Sequence, residues 1–147
     1  MTAFGEASPQ DEEYDPGIAR TLQIKRGSAR RVKPERTVVA DGRALIFTRG
    51  GYARKVHGGA YGNTGEPDLD GCLRGRALKF EAKRIGERPA GPQMAALRRW
   101  ATVGALVGWF RTDGELGDLL DHADEQGFVP PDLTRPGCTC PRHGDAR

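Results

Sequence analysis

The stretch that most limits how this chain can fold runs from Gly65 to Lys83, GEPDLDGCLRGRALKFEAK. Its apolar residues recur at every second position, which is the period of a strand. Pro67 to Leu73 and Arg76 to Lys83 read as the two arms of a hairpin about Arg74-Gly75. In the second arm Leu78, Phe80 and Ala82 point one way, and Lys79, Glu81 and Lys83 point the other. Pairing about the turn brings Asp68 opposite the Glu81–Lys83 region. Two carboxylates and an ammonium can then converge. These residues alone leave two readings open. One is a solvated sheet face, the commoner fate of such charge mixtures. The other is a site for a hard divalent cation such as Mg²⁺, which prefers carboxylate oxygens.

The rest of the chain predicts what surrounds the hairpin. A helix is expected from Pro34 to Gly50-Gly51, with Val38, Val39, Leu45 and Ile46 as its apolar stripe. Glu35 sits three and four residues before Val38 and Val39, so it projects from the buried side at the helix start. Tyr52 to Gly58 is expected to be a first strand. PQMAALRRWATVG reads as a helix opened by Pro92 and stopped by Gly104, with Met94, Leu97, Trp100 and Ala101 as its stripe. ALVGWFR is apolar enough for a central strand. Thr112 followed by Glu115 predicts a capping box opening a last helix, with Leu116, Leu119 and Leu120 inward. The expected fold is α/β, an αβββαβ core whose small mixed sheet is flanked by helices. The third and fourth strands, joined through a helix, should be parallel.

The length of 147 residues suits one domain. Residues 1–32 read as a charged tail, 33–126 as the domain and 127–147 as a Pro-rich C-terminal tail. The net charge of +3 is too small to announce a nucleic-acid binder. Its distribution says more, because residues 1–16 are acidic and residues 20–36 strongly basic. Such a basic run either follows a phosphate backbone or is a solvated arm. No apolar run approaches the ~20 residues a membrane span needs, and the N-terminus does not look secretory. Three cysteines argue against a disulfide framework. A cytoplasmic, soluble protein with no membrane partner is expected.

Taken in order, GEPDLDG, LKFEAK, GPQMAALRRW and GALVGWFRT resemble the VRR-NUC branch of the PD-(D/E)xK nuclease superfamily. That pattern is a Gly-x-Pro-Asp, an apolar strand ending Glu-x-Lys, a helix beginning with Gln, and an apolar strand after a Gly. Here the parts are Gly65-Glu66-Pro67-Asp68, Glu81-Ala82-Lys83, Gln93 and Gly104. The upstream KVHGGAYGNTG is similar to a segment of phage-type members, which implies a phage or prophage source acting in a host cell. The resemblance covers about residues 34–122 and outweighs the solvated-face reading.

The resemblance implies metal-dependent hydrolysis of DNA phosphodiesters, as an endonuclease or exonuclease, leaving a 5′-phosphate and a 3′-hydroxyl. Branched or flapped DNA is among the substrates of relatives, and small nucleases of this type often act as homodimers. It implies that Asp68, Glu81 and the carbonyl of Ala82 hold Mg²⁺ or Mn²⁺, that Lys83 orients or activates the attacking water, and that Gln93 supports the site. Glu35 matches a position where relatives often carry a further acid; the alternative is a first-turn carboxylate favoured by the helix dipole. Lys55 and His57, on one strand face, and Arg84 and Arg88, in the loop after Lys83, are candidate contacts to substrate phosphate. A structural histidine and solvated bases are the alternatives. Asp70 is either a second acid or a bystander. The rival function is a DNA-binding or assembly module without catalysis.

Three further features need weighing. Cys138, Cys140 and His143 form a Cys-x-Cys-x-x-His cluster, but a structural zinc needs four ligands and Cys72 lies far off on a predicted strand. A flexible tail of reduced thiols is the favoured reading. Trp100 and Trp109 could stack bases, though tryptophans in a helix stripe and an apolar strand usually belong to the core.

Overall fold

A computed structural model describes residues 31–57, 64–126 and 128–144. The expected N-terminal tail therefore lies outside the described residues, apart from Arg31 and Val32. Residues 32–147 belong to one compact unit. In chain order its elements are α1 (Glu35–Thr48), β1 (Tyr52–Lys55), β2 (Leu69–Leu73), β3 (Arg76–Ala82), α2 (Gly91–Thr102), β4 (Leu106–Phe110) and α3 (Asp113–Leu120). The strands lie in the order β1-β2-β3-β4. β1–β2 and β2–β3 are antiparallel, and β3–β4 is parallel. This is the small mixed sheet that the sequence predicts.

The hairpin turn sets the register. Leu73 pairs with Arg76, leaving Arg74 and Gly75 as a two-residue loop. Both have positive φ, 50° and 77°. That pair of left-handed residues is the turn whose twist matches the flanking strands. Counting back from it, Leu69 pairs with Phe80, which puts Asp68 across from Glu81. The first strand is shorter than expected and ends at Lys55.

Each face of the sheet has its own core. On one side Val38, Val39 and Ile46 of α1 and Leu116, Leu119 and Leu120 of α3 pack with Leu69, Leu78, Phe80, Ala82, Leu106 and Phe110. On the other, Leu97 of α2 packs with Ala105, Val107 and Trp109, with Met94, Trp100 and Ala101 at the margin. β4 therefore feeds alternate side chains into both cores, and all five of its residues are buried. That is why its sequence is a continuous apolar run rather than an alternating one. Each fully buried leucine or phenylalanine contributes about 1.5–3 kcal/mol. Trp109 is core, as read from the sequence.

The helix starts are built partly as expected. Thr112 Oγ1 accepts from Glu115 N–H at 3.2 Å, giving α3 its cap. The Glu115 carboxylate, however, passes Thr112 and accepts from the N–H of Arg111 at 2.7 Å, while also pairing with the Arg111 guanidinium. The capping box is thus half formed, because the cation one residue back draws the acid away.

Residues 128–144 are irregular, as expected, yet they are laid on the domain. Gly137 N–H donates to Trp109 O at 2.7 Å, along the outer edge of β4. Trp109 Nε1–H donates to Leu133 O at 2.9 Å. Cys138 and Cys140 lie in the core beside α3. Among the described residues no helix is long and apolar enough to cross a membrane.

Candidate active site

The charged face of β3 is not solvated. Glu81 is 1% exposed and Lys83 9%. α2 covers that face, and its first turn supplies the nearest polar partner. Gln93 Nε2 donates to Glu81 Oε1. The same side chain accepts the Ala90 N–H at 2.7 Å through its own oxygen, satisfying an orphan donor at the helix start. Gln93 therefore ties the helix N-terminus to the carboxylate with its two ends.

Asp68 and Glu81 meet across the hairpin as the register requires. Asp68 N–H donates to Glu81 Oε2 at 3.3 Å, and Ala82 N–H donates to Asp68 Oδ2 at 3.0 Å. Two residues along β3, Lys83 Nζ lies 2.8 Å from Glu81 Oε1. Its other acidic neighbour is Glu35, 3.5 Å away at the start of α1. Lys83 N–H donates to Phe110 O at 2.9 Å, extending the parallel ladder by one residue and fixing the base of its side chain. Asp68, Glu81, Lys83, Gln93 and Glu35 are thus brought together, from the residue before β2, from β3 and the residue after it, and from the first turns of α2 and α1.

The Gly-x-Pro-Asp segment has a physical reason. Gly65 has φ +87°, and a Cβ there would stand 2.7 Å from the carbonyl carbon and oxygen of Pro92. Only glycine allows this strand approach to touch the backbone of the α2 start. The contact brings the approach to Asp68 against the helix start that carries Gln93.

Burial, first, pushes the Glu81 carboxyl up to about 7; the charge of Asp68 adds to the rise, and Lys83 only partly offsets it. For Lys83 burial works in the other direction, but hydrogen bonding to Glu81 and the charges of Glu81, Glu35 and Asp68 prevail and raise it. Lys83 is an ammonium at neutral pH. The remaining strain is between the two carboxyls, whose mutual repulsion a cation would relieve. Two cross-strand carboxyls, one of them half exposed, are a fitting donor set for a hard divalent ion.

Asp70 belongs to a different assembly on the same face. It lies 2.7 Å from Lys79 Nζ and 3.0 Å from Arg54 Nη2, one partner on each neighbouring strand. Although burial works to raise it, these two bases hold its carboxyl below the ordinary range. Lys79 in turn sits 3.8 Å over the ring of Trp100. Trp100 Nε1–H donates to Glu66 Oε2 at 3.3 Å. Trp100 therefore anchors this charge ladder from the helix side.

The candidate phosphate contacts are placed less uniformly. Lys55 pairs with Leu69, and Ala53 with Gly71, so Lys55 shares the face that carries Leu69 and Phe80. The Asp68–Glu81 cluster is on the opposite face, and the residue of β1 on that face is Arg54, bound to Asp70. Lys55 is therefore not on the face of the cluster, and His57 is exposed, two residues past the end of β1. Arg84 and Arg88 are exposed in the loop after Lys83, with Arg84 paired to Glu87. Cys138, Cys140 and His143 come together with His122, a residue that the sequence does not single out. Its one signal is position: His122 stands two residues past the end of α3, just after the inward Leu116, Leu119 and Leu120, and is buried.

A solved structure described as a VRR_NUC domain is similar to this chain, with 27% identity and a TM-score of 0.52. The match covers 60% of this chain and 95% of that one. No family model and no curated protein matches the chain.

Proposed function

We propose that this chain, which is similar to a solved VRR_NUC domain, is a nuclease of the VRR-NUC family, a metal-dependent deoxyribonuclease of the PD-(D/E)xK type with DNA as substrate. The observation that carries this is the convergence of Asp68, Glu81 and Lys83 on one covered face, with Gln93 locking Glu81 from the helix start. Asp68 and Glu81, with the Ala82 carbonyl, would hold Mg²⁺ or Mn²⁺. When bound, the ion lowers the pKa of a water and stabilises charge on a phosphate oxygen.

The chain's own groups do the rest. The Lys83 ammonium stands beside Glu81, where it holds and orients the attacking water and neutralises the phosphate. Glu35 keeps that ammonium charged and aimed. Gln93 prevents Glu81 from turning toward solvent. Arg84 and Arg88, exposed beyond Lys83, are the bases of the described loop from which a phosphate backbone can be reached. The products are a 5′-phosphate and a 3′-hydroxyl. Branched or flapped DNA is the substrate class that the resemblance favours, and a phage or host-cell DNA-processing role follows from it.

The test is a panel of labelled single-stranded, flapped, nicked and four-way DNAs incubated with the full chain and Mg²⁺ or Mn²⁺, beside Asp68→Ala. Cleavage by the parent and none by the variant is expected. DNA binding without cleavage under every metal would instead make the chain an inert binding module.

A further inference from the structure

Away from the nuclease face, four side chains converge at the junction of α3 and the C-terminal segment. His122, Cys138 and Cys140 are buried, and His143 is partly so. His122 Nε2 lies 3.1 Å from Cys138 Sγ, 3.3 Å from Cys140 Sγ and 3.2 Å from His143 Nδ1. Cys140 Sγ lies 3.2 Å from His143 Nδ1. All four donor atoms fall within 4.8 Å of one another. A tetrahedral zinc with Zn–N near 2.0 Å and Zn–S near 2.3 Å would separate its ligand atoms by about 3.3–3.7 Å. The four contacts between these atoms, 3.1–3.3 Å, lie close to that spacing.

The outer contacts of the histidines point the same way. His122 Nδ1 lies 2.9 Å from Glu125 Oε2, and His143 Nε2 lies 3.1 Å from Asp121 Oδ2. A carboxylate accepts, so these are the ring nitrogens that carry protons. Arg142 also approaches His122 Nδ1, at 3.0 Å, but it pairs with the other oxygen of the same Glu125. The unprotonated nitrogens, His122 Nε2 and His143 Nδ1, are then left facing each other. Two lone pairs at that distance repel unless a cation lies between them. A carboxylate behind each imidazole is also the usual support of a metal-bound histidine. Stacking on Phe128, with ring centres 3.6 Å apart, fixes the plane of the His122 ring. Cys140 N–H points at Cys138 Sγ, 3.4 Å away, so the sulfur is held from the backbone as well.

We propose that His122, Cys138, Cys140 and His143 form a structural zinc site that clamps the C-terminal segment onto α3. Two sulfurs and two imidazoles select zinc over the hard ions suited to Asp68 and Glu81. With four protein ligands the site has no open position and no part in the chemistry. It also explains why a segment without helix or strand can lie along β4: the metal supplies the cross-link that secondary structure does not.

The test uses the full chain purified under reducing conditions, with metal measured by mass spectrometry. One zinc per chain is expected. It should persist in Asp68→Ala, which separates it from the nuclease site, and in Cys72→Ser, which removes the exposed thiol. It should be lost in Cys138→Ser and His122→Ala. Cys140→His guards against variants that merely fail to fold: it should keep one metal, while in the cobalt-substituted protein the thiolate-to-cobalt absorption falls to about half of the parent's, one sulfur remaining of two. Metal-free protein with an unchanged melting temperature, a Cys138–Cys140 disulfide in the reduced preparation, or zinc that follows Asp68 instead of Cys138 would each overturn the proposal.

Discussion

The hairpin cluster and the C-terminal cluster are assembled from opposite chemistries. Asp68, Glu81 and Glu35 offer oxygens and charge; Asp68 is half-buried and the Glu35 side chain 41% exposed. His122, Cys138, Cys140 and His143 offer nitrogen and sulfur, closed among core residues. In the first, the carboxyls are set against each other and held by a helix start and an ammonium. In the second, each ligand is already aimed at its three fellows. A site that must admit substrate leaves a coordination position free, whereas one that only braces the chain fills all of them. The difference teaches that the two clusters should fail in different ways: one by losing turnover in a folded protein, the other by losing the fold's C-terminal brace.

Three measurements would break or sharpen that contrast. The largest effect is expected for Lys83→Ala. Cleavage should fall about 10²–10⁴-fold, the range for a positioned proton-transfer or water-orienting group, with zinc content and melting temperature little changed. A drop in zinc would erase the separation of the two clusters.

Next is the pH dependence of stability in protein kept free of Mg²⁺ and Mn²⁺ but with its zinc retained. Glu81 has a folded pKa of about 7 against an ordinary 4.5. Between those values the folded chain keeps a proton that the unfolded chain has released. Stability should therefore decline as pH rises across that window and level off above it. The decline is on the order of 3 kcal/mol. Glu81→Gln should flatten it in denaturant titrations while abolishing cleavage. A slope that survives the substitution would show that Glu81 is not its source.

The smallest effect is expected for Gly65→Ala. A methyl pressed on the Pro92 carbonyl in a positive-φ residue should cost about 1–2 kcal/mol. Because Asp68 and Gln93 shift with it, cleavage should fall about tenfold, against no change in zinc. Loss of stability with full activity would mean that this contact does not position the site.

How far each cluster could be read from the sequence follows from how its residues are connected. Arg74-Gly75 and the period of two fix a register, and Asp68 opposite Glu81 then follows by counting. The contact of Gln93 with Glu81 cannot be counted, since a loop intervenes; there the order of motifs supplied what geometry did not. The phase of β1 was hidden for a similar reason. Its alternation was plain, but which side faced Asp68 depended on the link from Val56 to Pro67, and Arg54 rather than Lys55 emerged on that face. His122 was the hardest to see. It stands 16 residues before Cys138, across a Pro-rich stretch with no period. Three ligands in a short motif looked incomplete because the fourth belongs to a helix end.

The bond from Gly137 to Trp109 O has a consequence for solubility. β4 is the outermost strand on its side of the sheet, and every residue from Leu106 to Phe110 is apolar or glycine. An uncovered edge of that composition is a template for another chain's strand. Gly137 of the C-terminal segment takes up one carbonyl of that edge. A chain whose last residues came loose would thus betray itself first by clumping in concentrated solution, before any change in what its hairpin can bind or cut.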